Sequence, residues 1–138
     1  MDSIQAGVLN VKLKHLNKWT RQRHANATLY NEKFEDLGMV RTVAIEGVKA
    51  VCYLYVVRVE PEIRSKLREF LRSKGLATEI HYSIALPFLS PYPYLNYTET
   101  EFPQSLKASK EIRSLSMFPE PTEAQLEYVV EKLAKLGA

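Results

Sequence analysis

The opening 37 residues carry the strongest constraint on what this chain can become. Leu9, Leu13 and Leu16 recur at spacings of three and four, and Ala27, Tyr30, Phe34 and Leu37 do so again. That is the period of a helix with one apolar stripe. Between the two sets, residues 20–26 are polar apart from Ala25, which thins the stripe without a proline or glycine to break it. The spacing predicts one long helix or a closely coupled pair, stopped at Gly38. A straight helix of about 36 residues, rising about 1.5 Å per residue, spans roughly 54 Å. A compact domain of this size has a radius of gyration of about 14 Å. The helix must then project beyond its own globule, and its apolar residues imply a covering surface on another domain or chain. A kink in the polar gap is the competing expectation.

The rest of the chain alternates in character. Residues 40–45 and 48–59 read as strands joined at Glu46-Gly47, a short hairpin signal. The second is apolar on both faces: Val51, Tyr53, Tyr55, Val57 and Val59 on one, Cys52, Leu54 and Val56 on the other. This is the pattern of a central strand covered on both sides. Pro61 opens a helix that carries Ile63, Leu67, Phe70 and Leu71 and stops at Gly75. Residues 77–82 read as a short strand. Residues 83–97, with Pro87, Pro91, Pro93, Phe88, Tyr92, Tyr94 and Tyr97, read as a folded loop of the kind that carries function. A helix is expected over 103–113 and a short extended segment over 115–118. Thr122 and Gln125 form a capping box for a last helix, with Leu126, Val129, Val130, Leu133 and Leu136 on its buried face and Gly137 at its end. The order predicts an α+β domain with a small, largely antiparallel sheet, divided into a connecting or interface helix over 1–37 and a globular part over 38–138.

Several classes of function are poorly served. No apolar run is long enough to span a bilayer, and no signal-peptide core opens the chain. Cys52 is the only cysteine; it sits mid-strand as a small hydrophobe, and a chain without internal disulfides suits the reducing cytoplasm. His15, His24 and His81 are scattered without metal-ligand spacing, and the five glycines form no phosphate-cradling loop. Net charge is +3, concentrated at Lys12, Lys14, Lys18, Arg21 and Arg23. A basic helix face binds polyanions or is simply solvated; with no nucleic-acid motif beside it, the solvated face is the expectation. The best polar candidates are His81 and Tyr82. They stand at a strand end entering the Pro-Tyr loop, where imidazole and phenol can hydrogen-bond a phosphate or a sugar hydroxyl. The plainer alternative is a structural pair that anchors the loop. Glu79 and Ser83 flank them as weaker candidates.

Several segments, in order, resemble the DegT/DnrJ/StrS family of sugar aminotransferases. They are Met1-Asp2-Ser3-Ile4-Gln5-Ala6, Leu13-Lys14-His15-Leu16 with Trp19, and Tyr53-Leu54-Tyr55-Val56-Val57-Arg58-Val59. Lys74-Gly75-Leu76 with Ile80-His81-Tyr82 follows. Phe102-Pro103, Ser114-Leu115-Ser116-Met117-Phe118-Pro119 and Thr122-Glu123-Ala124-Gln125 complete the set. The resemblance implies the small C-terminal domain, with its long connecting helix, of an aspartate-aminotransferase-like pyridoxal-phosphate enzyme. It implies that His81 and Tyr82 contact a nucleotide-linked keto-sugar. In the family, the lysine that holds the cofactor as a Schiff base follows a serine by three positions in a separate large domain, which also supplies the acid at the pyridine nitrogen. No serine here has a lysine three residues later, although eleven lysines are present. Both groups are needed for the electron-sink chemistry. The chain alone is therefore expected to bind no cofactor and to be inactive without a large domain or a split-enzyme partner. Self-association through the first helix is expected as well.

The chain departs from the family pattern at Tyr53, where a histidine is frequent. It departs again at Ser83, Ala85, Leu86-Pro87 and Leu89, where the family has prolines, a Leu-His pair and a glutamine. These changes leave a second reading open, a stand-alone binding or regulatory module that keeps the small-domain fold without the chemistry. Nucleic acid and membrane are not expected partners.

Overall fold

The structure, a computed structural model, describes all residues except Met1, Asp36, Gly38, Thr42 and Ala138, and of Leu136 and Gly137 only the backbone. The opening helix is a coupled pair. α1 spans Ser3–Leu13, capped by the Asp2 carboxylate, which accepts from the Ile4 N–H at 3.3 Å. α2 spans Leu16–Glu35. The break falls at Lys14-His15 and not in the polar gap, which is continuous helix. α1 buries none of its residues; Ile4, Val8, Leu9, Val11, Leu13 and Leu16 are all exposed. The second half of α2 behaves oppositely, burying Ala27, Tyr30 and Phe34. The expected stop at Gly38 lies outside the described residues.

Among the described residues the sheet has three antiparallel strands in the order β1-β3-β2: β1 Tyr55–Arg58, β2 Thr78–Glu79 and β3 Ile112–Leu115. Here the sequence expectation needs correction. The strand expected over 48–59 shrinks to four residues and lies beside the central strand, because Cys52 adopts φ +48° and ends the extended run. The described residues of 40–45 form no strand; Arg41 bridges Val57, and the Arg58 N–H donates to the Val40 carbonyl at 2.8 Å. The Glu46-Gly47 turn is present, with Gly47 at φ +79°. The central strand is β3, in a stretch expected to be the tail of a helix. α4, Pro103–Glu111, passes into β3 without a loop, its C-cap Ile112 already extended at φ −65°, ψ 142°. The strand expected over 115–118 thus lies three residues earlier, and the one expected over 77–82 shortens to β2.

Two helix ends match the sequence in detail. α3, Pro61–Ser73, closes with Gly75 at φ +76°; the Gly75 N–H reaches the Arg72 carbonyl and the Leu76 N–H the Leu71 carbonyl, at 3.0 and 2.9 Å. Only a residue tolerant of positive φ makes this pair of bonds cheaply. α5, Glu123–Gly137, begins with the reciprocal capping box: Thr122 N–H to Gln125 Oε1 at 2.9 Å, Gln125 N–H to Thr122 Oγ1 at 3.3 Å.

The core lies on one face of the sheet. Tyr55, Val57 and Leu115 pack with Tyr30 and Phe34 of α2, Leu67 and Leu71 of α3, and Leu126 and Leu133 of α5. The Tyr30, Phe34 and Tyr55 rings stand 4.9–5.9 Å apart. The Tyr55 hydroxyl donates to Asn31 Oδ1 at 2.7 Å, and Arg41 Nε donates to the same oxygen at 3.2 Å, which ties residues 39–41 to α2. Burial pushes the Tyr30 and Tyr55 phenols up to about 12. One member of this face is charged. Arg113 is fully buried; its Nη2 donates to the Arg64 carbonyl at 2.8 Å, while Nε and Nη1 have no hydrogen-bond partner among the described residues. Burial first, then the nearby Arg68 and Arg64 charges, lower its affinity for the proton. No helix among the described residues is long and apolar enough to cross a membrane.

Candidate functional site

The sheet's second face carries the polar groups. Antiparallel partners share a face, so the pairings Val56↔Ser114 and Glu79↔Ser114 set those three side chains together. His81, two residues beyond Glu79, completes the group: its Nδ1 lies 2.9 Å from Ser114 Oγ. Ser114 is buried and His81 half-buried. Around them is a cleft of about 140 Å³, lined by Tyr53, Thr78, Glu79, His81, Ser114 and Ser116 among others. The Ser116 hydroxyl donates to the Ala77 carbonyl at 2.9 Å, fixing the cleft's far wall. With Nδ1 committed to Ser114, the other ring nitrogen of His81 has no protein hydrogen-bond partner among the described residues. In either tautomer it can exchange one hydrogen bond with a ligand hydroxyl or amide.

Tyr82 goes elsewhere. It holds a left-handed backbone at φ +60°, a strained conformation for a tyrosine, and its side chain is exposed. It lines a separate, mainly apolar cleft of about 470 Å³ with Ala85, Leu86, Pro87, Phe102 and Ile112. The loop after it folds on aromatic edges, with Phe102 set edge-on to Phe88 and Tyr97 at centroid distances of 6.4 and 4.9 Å. The structure thus places His81 and Tyr82 at neighbouring but different clefts. Ser114 was missed in the sequence because a helix was expected through Arg113, which hid the strand beneath His81. Glu79 and His81 were visible as an alternate pair, but only the register of β2 on β3 shows that both flank Ser114.

Among the described residues no group of three or more histidine, cysteine or acidic side chains is placed to hold a metal. Pyridoxal phosphate requires a lysine facing a cleft and an acid against its ring nitrogen. Lys74 borders an apolar groove of about 570 Å³ along α5, and Lys49 borders a polar one of about 490 Å³. Neither groove is lined by a carboxylate, and the Lys74 ammonium sits over the Phe70 ring, 5.6 Å from its centroid. These residues do not fit the cofactor, and no step through it is assigned to them.

Comparison with known proteins bears on the whole chain. Residues 1–134 match the profile of the DegT/DnrJ/EryC1/StrS aminotransferase family. The chain is 38% identical, over 98% of its length, to a pleiotropic regulatory protein of Geobacillus stearothermophilus, covering 37% of that protein. It is 28% identical to the dTDP-3-amino-3,6-dideoxy-alpha-D-galactopyranose transaminase of Aneurinibacillus thermoaerophilus, over 99% of this chain and 37% of that enzyme. Among solved structures, it superposes on DesV of S. venezuelae, crystallised with a ketimine intermediate, with a TM-score of 0.86 and 27% identity. That match covers 98% of this chain and 36% of DesV. A DegT/DnrJ/EryC1/StrS aminotransferase from Brucella abortus gives the same TM-score at 26% identity, over 100% and 36% of the two chains. The chain therefore spans little more than a third of the length of the relatives it matches.

Proposed function

Because the chain belongs to the DegT/DnrJ/EryC1/StrS aminotransferase family, we propose that it supplies the small α+β domain of a pyridoxal-phosphate enzyme that aminates a nucleotide-linked keto-sugar. The observation that supports this reading is the superposition of 98–100% of the chain on 36% of DesV and of the Brucella abortus aminotransferase. The cofactor, when bound, is the electron sink through which an amino group passes from an amino acid to the keto-sugar. Its lysine and its acid come from the part of the relatives that this chain does not cover. This chain's own contribution is to bind and orient. His81, held by Ser114, presents its free ring nitrogen to a sugar hydroxyl, and Tyr82 with the Pro-Tyr loop walls off the adjoining cleft. α1 carries its apolar side chains to a large domain or to a second copy.

The test is complementation. The chain is mixed with pyridoxal phosphate, glutamate and a dTDP-linked keto-sugar, with and without a large domain from a family member. Turnover is expected only with the large domain. His81→Ala is then expected to raise KM for the keto-sugar about tenfold, the loss of one hydrogen bond to a polar ligand, while leaving KM for glutamate unchanged. Robust turnover by the chain alone would falsify the division of labour.

A second reading, a stand-alone binding or regulatory module, is favoured by one feature. Lys12, Lys14, Lys18 and Arg21 are all exposed and none makes an ion pair among the described residues. Binding to duplex DNA that weakens steeply with salt supports it; no binding at low ionic strength removes its nucleic-acid form.

A further inference from the structure

The cleft at His81 contains a carboxylate that the reading above does not use. Glu79 is exposed and has no ion pair or hydrogen-bond partner among the described residues. Its register opposite Ser114 sets it on the same face as His81, on the lining of the 140 Å³ cleft. The cation nearest on this face along the strands is Arg58, opposite Ile112. Arg58 is already committed: its Nε donates to Glu111 Oε2 at 2.7 Å. The other cation close to Glu79 is Arg113, which lies on the opposite face, fully buried and bonded to the Arg64 carbonyl. Arg113 still feels the Glu79 charge through the sheet, but among the described residues the cleft itself presents a carboxylate without a hydrogen-bond partner, an imidazole nitrogen and two serine hydroxyls, and no cation on its own face is left to meet a ligand.

A phosphate brought here meets a negative charge with no cation beside it on the same face, and the repulsion, about 1 kcal/mol per charge pair at 4 Å in water, offsets what one imidazole bond returns. A neutral polyol meets the reverse. Its hydroxyls donate to the carboxylate in charge-assisted bonds and exchange bonds with His81. The volume agrees, being well below the several hundred Å³ of a site for a whole ligand of drug size, so that it admits one ring and not a nucleotide.

We infer that Glu79 is a specificity-determining residue of the His81–Ser114 cleft, which takes the neutral sugar ring and rejects the diphosphate. This rests on the proposed function, because it assigns one moiety of that substrate to one cleft. The experiment is an NMR titration of the isotope-labelled chain with dTDP-glucose and, separately, with dTDP. For the wild type, dTDP-glucose is expected to shift the His81 and Ser114 resonances, and dTDP to leave them in place. Glu79→Gln, at an exposed position, keeps the fold; it is expected to weaken dTDP-glucose binding about tenfold and to leave or improve the weak binding of dTDP. Equal shifts at His81 and Ser114 with both ligands, or an unchanged dTDP-glucose affinity in Glu79→Gln, overturn the role of Glu79 and leave the proposed function standing. Absence of any shift at these residues with either ligand, at millimolar concentration, overturns the cleft as a substrate site and the role of Glu79 with it.

Discussion

Single side chains in the core give this domain two unequal points. Tyr30 and Tyr55 are buried as neutral phenols, pushed up to about 12. A folded-state value above the unfolded one favours folding fully below about pH 10, and that contribution is lost as pH rises through about 12. Within this window each tyrosine is expected to remove about 1.4 kcal/mol of stability per pH unit. Urea midpoints measured from pH 8 to 12 are expected to be flat and then to fall. The double variant Tyr30→Phe and Tyr55→Phe starts lower, having lost the Asn31 bond, but falls less; identical slopes would contradict the burial of the two phenols. Arg113 is the opposite case, a charge whose Nε and Nη1 are buried without hydrogen-bond partners among the described residues. Replacing a buried, incompletely bonded charge by an apolar group of similar length is often stabilising. Arg113→Met is expected to raise stability by about 1–3 kcal/mol, seen as a higher urea midpoint at constant slope. A lower midpoint would mean that the guanidinium is satisfied by more than the Arg64 carbonyl. Nothing in the sequence marked Arg113, since a lone arginine near a helix end ordinarily faces solvent. His81, by contrast, was legible from its place at a strand end. Ser114 was not, because its role depends on a contact with His81, 33 residues away in sequence, that only the pairing of β2 on β3 creates.

Among the elements, the ones with local signals were readable. Thr122 and Gln125 announced the start of α5, and Gly75 the end of α3, because caps are fixed by residues three or four apart. Thr122→Ala is expected to cost about 1 kcal/mol, measured by thermal or urea unfolding; a loss near zero would show that the box contributes no net stability. The strands were readable only in outline. Residues 48–54 have the apolar, β-branched composition of a strand, yet pairing is decided by what lies alongside, and Cys52 turns out of the extended region before a ladder forms. At α4 the error ran the other way. Lys107, Ser109 and Lys110 keep a helical composition up to Glu111, and the abrupt change to β at Ile112 has no glycine or proline to signal it. The change is imposed by tertiary pairing, which routinely overrides propensity in short strands.

For the whole molecule, α1 is the uncovered surface. It buries nothing, and Ile4, Val8 and Val11 form one exposed apolar line at helical spacing. Self-association is the expected result when no large domain is present. Sedimentation velocity on the isolated chain is expected to show species larger than monomer, and the triple variant Ile4→Glu, Val8→Glu and Val11→Glu to return it to monomer with unchanged circular dichroism of the domain. A strictly monomeric wild type at high concentration would remove α1 as an oligomer contact. The position of β3 has a consequence for biosynthesis. Val56 pairs with Ser114 and Thr78 with Leu115, so neither outer strand has its ladder partner until residues 112–115 leave the ribosome. A nascent chain paused before that point holds formed helices around two bare strand edges, the state in which aggregation competes with folding. Translation speed through α4 thus sets how long those two edges stay unpaired.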